Sequence, residues 1–352
     1  MEVPPPAPHV LTGLTLAELT SLLGSRTRAL ETLKWLYAQP PLSRELPDAV
    51  PGVSHRAWEK LRSQLALPEV DVVEKGVSQD GTTKYLLRLK DVSVETVLIP
   101  AKGRSTVCIS SQAGCTRNCA FCATATLGFK RQLKAAEMVA QYRVARADAA
   151  ADAPARNVVF MGMGEPMDNL DEVLKAVELL TQQPVPMLGA RQVTVSTSGV
   201  LPGMKRFLAE CKASLALSLN ASTDEQRLRV MPQTKTWPIA ALVELLREDR
   251  VKNPRRTHFI EYVMFDGVND APEDADRVVA LLEGVNARVN LIPHNPIRGS
   301  DLRPPPEARV LEFQARVVAR DLMCLIRWPR GREVAAACGQ LAATELSEAL
   351  PG

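Results

Sequence analysis

The chain lacks the features that would place it in or across a membrane. Among its 352 residues no uninterrupted apolar run approaches the roughly 20 residues of a membrane span, and the opening MEVPPPAPHV has neither the basic nor the apolar region of a signal peptide. No internal repeat of the solenoid kind is visible. Charge of one sign is scarce too: 43 Lys and Arg against 40 Asp and Glu leave a formal net charge of +3, which by itself does not point to nucleic acid. With 46% hydrophobic and 24% charged residues, the composition is that of a globular chain long enough for one large domain plus a small one, and a cytoplasmic protein is expected.

What is present is concentrated in CISSQAGCTRNCAFCATATLGFK, residues 108–130. Cys115, Cys119 and Cys122 follow a C-x3-C-x2-C spacing with Phe121 before the last. A structural zinc site closes with four ligands, and a simple electron-transfer cluster also takes four cysteines. Three clustered thiols therefore suggest a metal centre with one position held open. An iron-sulfur cluster is favoured, and zinc with a distant fourth ligand stays open. Of the seven cysteines, Cys108, Cys211, Cys324 and Cys338 remain outside the trio, and a disulfide scaffold is not expected in a reducing compartment.

Along the chain, residues 1–12 are proline-rich and expected to be disordered. Leucines at helical spacing, broken by prolines, predict a small helical accessory domain over 13–69. Alternating, β-branched residues over 70–100 predict a β linker, a short hairpin or meander leading into the main domain, within which the lone Glu95, judged by the strand pattern alone, reads as facing solvent. From 101 to 343 the sequence alternates strands and helices, with apolar β-rich runs at 106–110, 157–161, 192–196, 214–219, 257–265, 288–292 and 323–327. Repeated βα units predict an α/β fold with a parallel sheet and right-handed crossovers, either a partial (β/α)6 barrel or a doubly wound sheet. Residues 344–352 are a tail.

Small, polar or reactive residues follow these strands. The cysteines follow the first, GMGEP (162–166) the second, and STSG (196–199) the third; Ser218-Leu219-Asn220 ends the fourth, PHNP (293–296) the sixth, and a basic loop leads from the seventh to Cys338-Gly339-Gln340. In a β/α barrel the active site sits at that end of the strands. Taken singly, the glycines could make a tight turn and the serines could cap a helix. Together they offer a carboxylate, close backbone approach and short polar side chains, as a cofactor with an amino acid head, a ribose and an adenine requires. Positive charge is also uneven, with eight Lys or Arg against two acidic residues over 100–150 and nine against four over 288–332.

VETVLIP, CISSQAGC, NCAFC, MGMGEP, STSG, IEYVM, NLIPHNP and AACGQL, in that order over residues 94–341, resemble the RlmN/Cfr group of radical S-adenosylmethionine (SAM) RNA methyltransferases. The resemblance implies a radical SAM barrel whose Cys115, Cys119 and Cys122 hold one 4Fe-4S cluster, with SAM chelating the fourth iron. It further implies methylation of carbon 2 of an adenosine in 23S rRNA and of the adenosine beside the anticodon in some tRNAs, with two SAM per turnover. Cys338 would carry the methyl group, Cys108 would release the product by a disulfide with Cys338, and Glu95 would be the proton acceptor. The matching SAM positions are Gly164, Glu165, Ser196, Ser218, Leu219, Asn220 and Asn295. Asn220 departs from the histidine usual there, and His294 stands where an aromatic is common. RNA contacts fall to Arg117, Lys130, Arg131, Lys134, Arg298, Arg303, Arg327, Arg330 and Arg332. An electron donor such as a flavodoxin system is implied, and the enzyme is expected to be a monomer without a membrane partner. The rival readings are a Cfr-like carbon-8 methyltransferase and a non-catalytic RNA-binding assembly protein with a structural cluster.

Overall fold

The computed structural model of the chain describes residues 9–182, 185 and 188–342. β1 (His9–Val10) pairs in parallel with β2 (Leu65–Ala66), and Leu11 and Thr12 are buried. Residues 9–12 are thus ordered, against the expectation for 1–12; residues 1–8 and the tail at 344–352 lie outside the described residues. Thr15 starts α1 (Leu16–Leu23) by a reciprocal pair of bonds. Its hydroxyl accepts the Glu18 N–H at 3.2 Å and the Glu18 carboxylate accepts the Thr15 N–H at 2.8 Å, which satisfies two otherwise orphaned donors. Gly24, in the left-handed region, ends the helix. α2 (Arg26–Ala38) and α3 (His55–Arg62) follow, and Leu19, Leu33, Leu36, Trp58 and Leu61 close a small core separate from the main one.

β3 (Val70–Val77), β4 (Thr83–Leu89) and β5 (Val92–Ala101) form an antiparallel meander, and β5 pairs antiparallel with β6 (Arg104–Cys108). The strands of residues 70–100 are therefore a meander continuous with the main sheet. After β6 comes a small hairpin of β7 (Gln112–Gly114) and β8 (Phe129–Gln132). Then α4 (Ala135–Ala147), β9 (Ala155–Phe160), α5 (Leu170–Thr181), β10 (Val193–Thr197), α6 (Leu201–Glu210) and β11 (Ser214–Ser218) alternate. α7 (Asp224–Val230) and α8 (Ile239–Lys252) lead to β12 (His258–Met264), followed by α9 (Pro272–Leu282), β13 (Ala287–Pro293), α10 (Glu307–Val318) and β14 (Cys324–Ile326).

The ten strands lie in the order β14-β13-β12-β11-β10-β9-β6-β5-β4-β3. The parallel strands from β6 to β14 are neighbours in chain order. A doubly wound sheet would reverse at a switch point, so this is the partial (β/α)6 arrangement, an α/β fold with a mainly parallel sheet. Val158, Val195, Leu215, Leu217, Ile260, Val289 and Leu291 have no solvent exposure, as strands covered on both faces require. Arg143 of α4 donates to Leu36 O at 2.8 Å and stands 5.7 Å from the Tyr37 ring, tying the helical layer to the sheet. Among the described residues no helix is long and apolar enough to cross a membrane.

Candidate active site

The carboxyl ends of the parallel strands open into one cavity of about 1000 Å³, part of it continuous with solvent. Its wall includes Cys115, Cys119 and Cys122 from the β7–β8 loop, Gly164 and Glu165 after β9, Ser196 and Ser198 at β10, Ser218 and Asn220 at β11, and Glu261 on β12. His294 and Cys338 complete it. Of the residues expected at the site, Leu219, Asn295, Cys108 and Glu95 stand behind this wall rather than in it.

The hairpin that carries the cysteines depends on Gly114. Its φ is +79°, and a Cβ there would lie 1.8 Å from the Gly128 carbonyl oxygen. The Cys115 N–H bonds that same carbonyl at 3.1 Å, which closes the loop. Phe121 anchors the far side of the loop, its ring 5.5 Å from Phe265, in a small cluster with Val230 and Met231. The Ala123 N–H donates to Gly339 O at 2.7 Å and Thr124 Oγ1 to Leu341 O at 2.7 Å, so the segment after Cys338 is fastened to the cysteine loop.

Burial pushes the Cys115 thiol up to about 11 and raises Cys119 and Cys122, with neighbouring thiols adding to the effect at Cys119. Three soft thiols on one cavity wall suit a polynuclear group with an open face, and the carboxylate, glycine and serines opposite suit an amino acid head. The donor set therefore fits a 4Fe-4S cluster with SAM.

Glu165 is committed to the protein. Its Oε1 accepts the Met167 N–H at 3.0 Å, and its Oε2 accepts the Ser198 N–H at 2.7 Å and the Ser198 hydroxyl at 2.6 Å. Burial nevertheless raises its pKa, the Ser198 bonds opposing. Gly164, at φ +102°, allows the chain to pass Gln112, whose Cβ would be 2.5 Å from a Cβ on residue 164. In the serine-rich turn the work is divided: Ser198 binds Glu165, while Thr197 Oγ1 accepts the Gly199 N–H at 3.1 Å and the Val200 N–H at 3.4 Å and closes the turn that leads into α6.

Asn220 adopts φ +57°, a region asparagine tolerates better than most residues. Its Oδ1 accepts the Val263 N–H at 2.9 Å and its Nδ2 donates to Met231 Sδ at 3.2 Å. The side chain that replaces the expected histidine is thus occupied in holding β11 against β12. Asn295 Nδ2 donates to Cys338 O at 3.1 Å and positions the cysteine segment. His294 is buried against Phe265 at 5.1 Å, and burial holds it neutral, its pKa down to about 4.

Glu95 is buried, not solvent-facing: it has no exposure, because β4 and β6 flank its strand and the sheet is covered there. Lys84 Nζ stands 2.8 Å from Oε1, an ion pair whose angle is poor for a hydrogen bond, and the Ala342 N–H donates to Oε2 at 2.8 Å. Removing either ion would leave the charge of the other buried without its counter-ion, at about 3–5 kcal/mol. Cys108 is buried on the same face of the sheet, since Val97, two residues from Glu95, pairs with it. Burial raises its thiol strongly, and the nearby Cys338 adds to that. Both thiols are free. Cys338 is exposed to the cavity. Desolvation within the cavity pushes its thiol up to about 11, with Glu261 adding and Arg327 opposing.

Two residues that sequence reasoning missed carry much of this arrangement. Arg227 is fully buried and donates to Leu219 O at 2.9 Å, Ser218 O at 3.1 Å and Ser198 O at 2.5 Å, lacing two strand ends together; burial lowers its pKa to about 10. Glu261 accepts Asn290 Nδ2 at 2.8 Å, and burial raises it to about 7 against the pull of Asn290 and Arg327. The motif IEYVM contains Glu261 but gave no sign of its partners.

The chain matches the model of the radical SAM superfamily over residues 109–279. It is 41% identical to a protein named dual-specificity RNA methyltransferase RlmN from Anaeromyxobacter dehalogenans over 93% of this chain and 89% of that one. It is also 47% identical to a probable RNA methyltransferase from Sorangium cellulosum, over 83% of this chain and 73% of that one. The chain belongs to the RlmN family of radical SAM methyltransferases. It is accordingly a SAM-dependent transferase, and the family implies a 4Fe-4S cluster and SAM. A crystal structure of a radical SAM methyltransferase from Sphaerobacter thermophilus superimposes with a TM-score of 0.87 at 37% identity, covering 96% of this chain and all of that one.

The basic residues expected to meet RNA divide on inspection. Arg117 pairs with Asp168, Arg131 with Asp91 and Glu137, Lys134 with Glu172, and Arg330 with Asp80, while Arg327 donates to Asn290 Oδ1 at 3.1 Å. These charges hold the protein together. Lys130, Arg303 and Arg332 are exposed and have no ion-pair partner among the described residues.

Proposed function

We propose that the protein methylates carbon 2 of an adenosine in 23S rRNA at the peptidyl transferase centre, and of the adenosine next to the anticodon in some tRNAs. The observation that carries this reading is the pairing of Cys108 with Cys338. They are more than two hundred residues apart in sequence, within electrostatic reach in the fold, both free, and beside the cysteine loop. A structural cluster protein has no use for that pair. The relatives named dual-specificity RNA methyltransferase support the choice of substrate.

Carbon 2 of adenine lies between two ring nitrogens and has no nucleophilic lone pair, so displacement on SAM cannot methylate it directly. Cys338 takes a methyl group from one SAM on its sulfur and presents it to the base. Cys115, Cys119 and Cys122 would hold the cluster, with Gly164, Glu165, Ser196, Ser218, Leu219, Asn220 and Asn295 around SAM. A cluster held by these thiols would supply the one-electron reduction of a second SAM, the source of the radical that activates the methyl group. Cys338 then links covalently to the RNA. Glu95 accepts the proton leaving carbon 2, which requires the segment at Ala342 to move off its carboxylate. Cys108 gives up its proton and attacks the Cys338 sulfur. The S–S bond forms as the bond from Cys338 sulfur to the RNA-bound carbon breaks, and the electron pair left on the base side takes up a proton to complete the methyl group and release the methylated base. An extruded adenosine is needed to reach such a cavity, and Lys130, Arg303 and Arg332 are the charges free to meet its phosphates. A flavodoxin-like donor would return the electrons to a monomeric enzyme.

Mass spectrometry of 23S rRNA and tRNA from cells with and without the protein tests this. Loss of 2-methyladenosine in the deletion is expected. Unchanged carbon-2 methylation with loss of an 8-methyl mark would replace the reading by the carbon-8 chemistry.

A further inference from the structure

The cavity wall holds two carboxylates. Glu165 has both oxygens bonded to the protein. Glu261 is held by one oxygen: Oε1 accepts Asn290 Nδ2 at 2.8 Å, and Oε2 has no protein partner among the described residues yet is not sealed from solvent. Asn290 Oδ1 in turn accepts Arg327 Nε at 3.1 Å, and the Arg327 N–H is fixed on Leu291 O at 2.7 Å. A chain of bonds from β14 through β13 thus sets the orientation of a carboxylate on β12. Cys338 opens into the same cavity, and Glu261 is the carboxylate whose charge it senses most.

We propose that Glu261 is the base that takes the proton from the Cys338 thiol as Cys338 accepts its methyl group, with Asn290 and Arg327 as positioning residues. This rests on the reading of Cys338 as methyl acceptor. The step balances without a redox partner. The S–H bond of Cys338 breaks and its proton goes to Glu261 Oε2, directly or through one cavity water. The sulfur electron pair forms the new S–CH3 bond, and the sulfonium C–S bond of SAM breaks to leave neutral S-adenosylhomocysteine. A thiol raised to about 11 is almost wholly protonated near neutrality, so a base is required, and a carboxylate raised to about 7 is matched to the task.

The two roles open to Glu261 have opposite signs. As a mere neighbouring charge it disfavours the thiolate, so Glu261→Gln would make Cys338 more reactive. As the base it promotes proton removal, so the same change would make Cys338 less reactive. The purified holoenzyme is incubated with CD3-labelled SAM and no reductant, and label on the Cys338 peptide is followed by mass spectrometry. Uptake is expected to slow by about a hundredfold in Glu261→Gln and less in Glu261→Asp, with SAM affinity retained. Uptake as fast as, or faster than, in the wild type overturns the proposal. Iodoacetamide alkylation of unmodified Cys338 in the same proteins reads proton removal without SAM, and slower alkylation in Glu261→Gln is expected; equal or faster alkylation also overturns it. If wild-type Cys338 takes no label, its role as acceptor fails while the alkylation rates still decide that of Glu261.

Discussion

Glu165 and Glu261 are both nearly buried, both line one cavity, and in both burial is the leading influence on the carboxyl. They differ in what they touch. Glu165 collects three donors from two loops, the Met167 N–H and the N–H and hydroxyl of Ser198, and so joins the end of β9 to the end of β10. Glu261 has one donor, held from behind by Arg327. A carboxylate saturated by protein bonds is a structural joint with a face to offer, whereas one oriented from a single side retains a lone pair for chemistry. Position on the rim does not separate the two; the donor count does.

The largest effect that would break this comparison is expected from Glu165→Ala. It leaves three buried donors without an acceptor, at a cost of about 3–5 kcal/mol, and it unfastens the two loops that face the cofactor. Urea unfolding and SAM titration are expected to show both losses together. Unaltered SAM affinity in a folded Glu165→Ala protein would remove Glu165 from the cofactor wall.

Glu261 is expected to give a pH signature instead. Its carboxyl is raised from an ordinary 4.5 to about 7, so between those values the folded protein keeps a proton that the unfolded chain has lost. Its contribution is fully present below about 4.5 and is lost as pH rises toward about 7, a change of about 3 kcal/mol. The stability difference between wild type and Glu261→Gln should therefore move against the wild type by that amount across the window. A difference that stays flat with pH would mean that Glu261 ionises as it does in water.

Much of this site was legible because its signals are local. The cysteine spacing, the glycines of GMGEP and the polar strand ends occupy consecutive positions, and the alternation of strands and helices fixes where such positions converge. What was illegible depends on partners distant in sequence. Glu95, taken without the family resemblance, read as solvent-facing because a lone glutamate in a strand is usually at a free face, but the buried Lys84 and the segment at Ala342 cover that face. Arg227 sits in a polar helix and looks like surface until the strand-end carbonyls arrive. The excess of arginine near the C-terminus suggested RNA, yet Arg327 and Arg330 find internal partners on β13 and before β4, which a segment-by-segment charge count cannot reveal. His9 to Thr12 were hidden by the prolines before them, since their order comes from pairing with residues 65 and 66.

The finest test lies in Ser198→Ala. The change removes the hydroxyl 2.6 Å from Glu165 Oε2 but keeps the Ser198 N–H at 2.7 Å and the Met167 N–H at 3.0 Å. Glu165 then loses one of the bonds that hold its pKa down, so its carboxyl should rise further. The donor is deleted rather than stranded, and the expected loss of stability is about 1 kcal/mol, much smaller than for Glu165→Ala. The urea midpoint should fall with an unchanged slope, and SAM affinity should be nearly retained. A sharp loss of SAM affinity without loss of stability would mean that the hydroxyl serves the cofactor and not the joint, and Glu165 would then have to be counted with Glu261 as a group available to bound molecules.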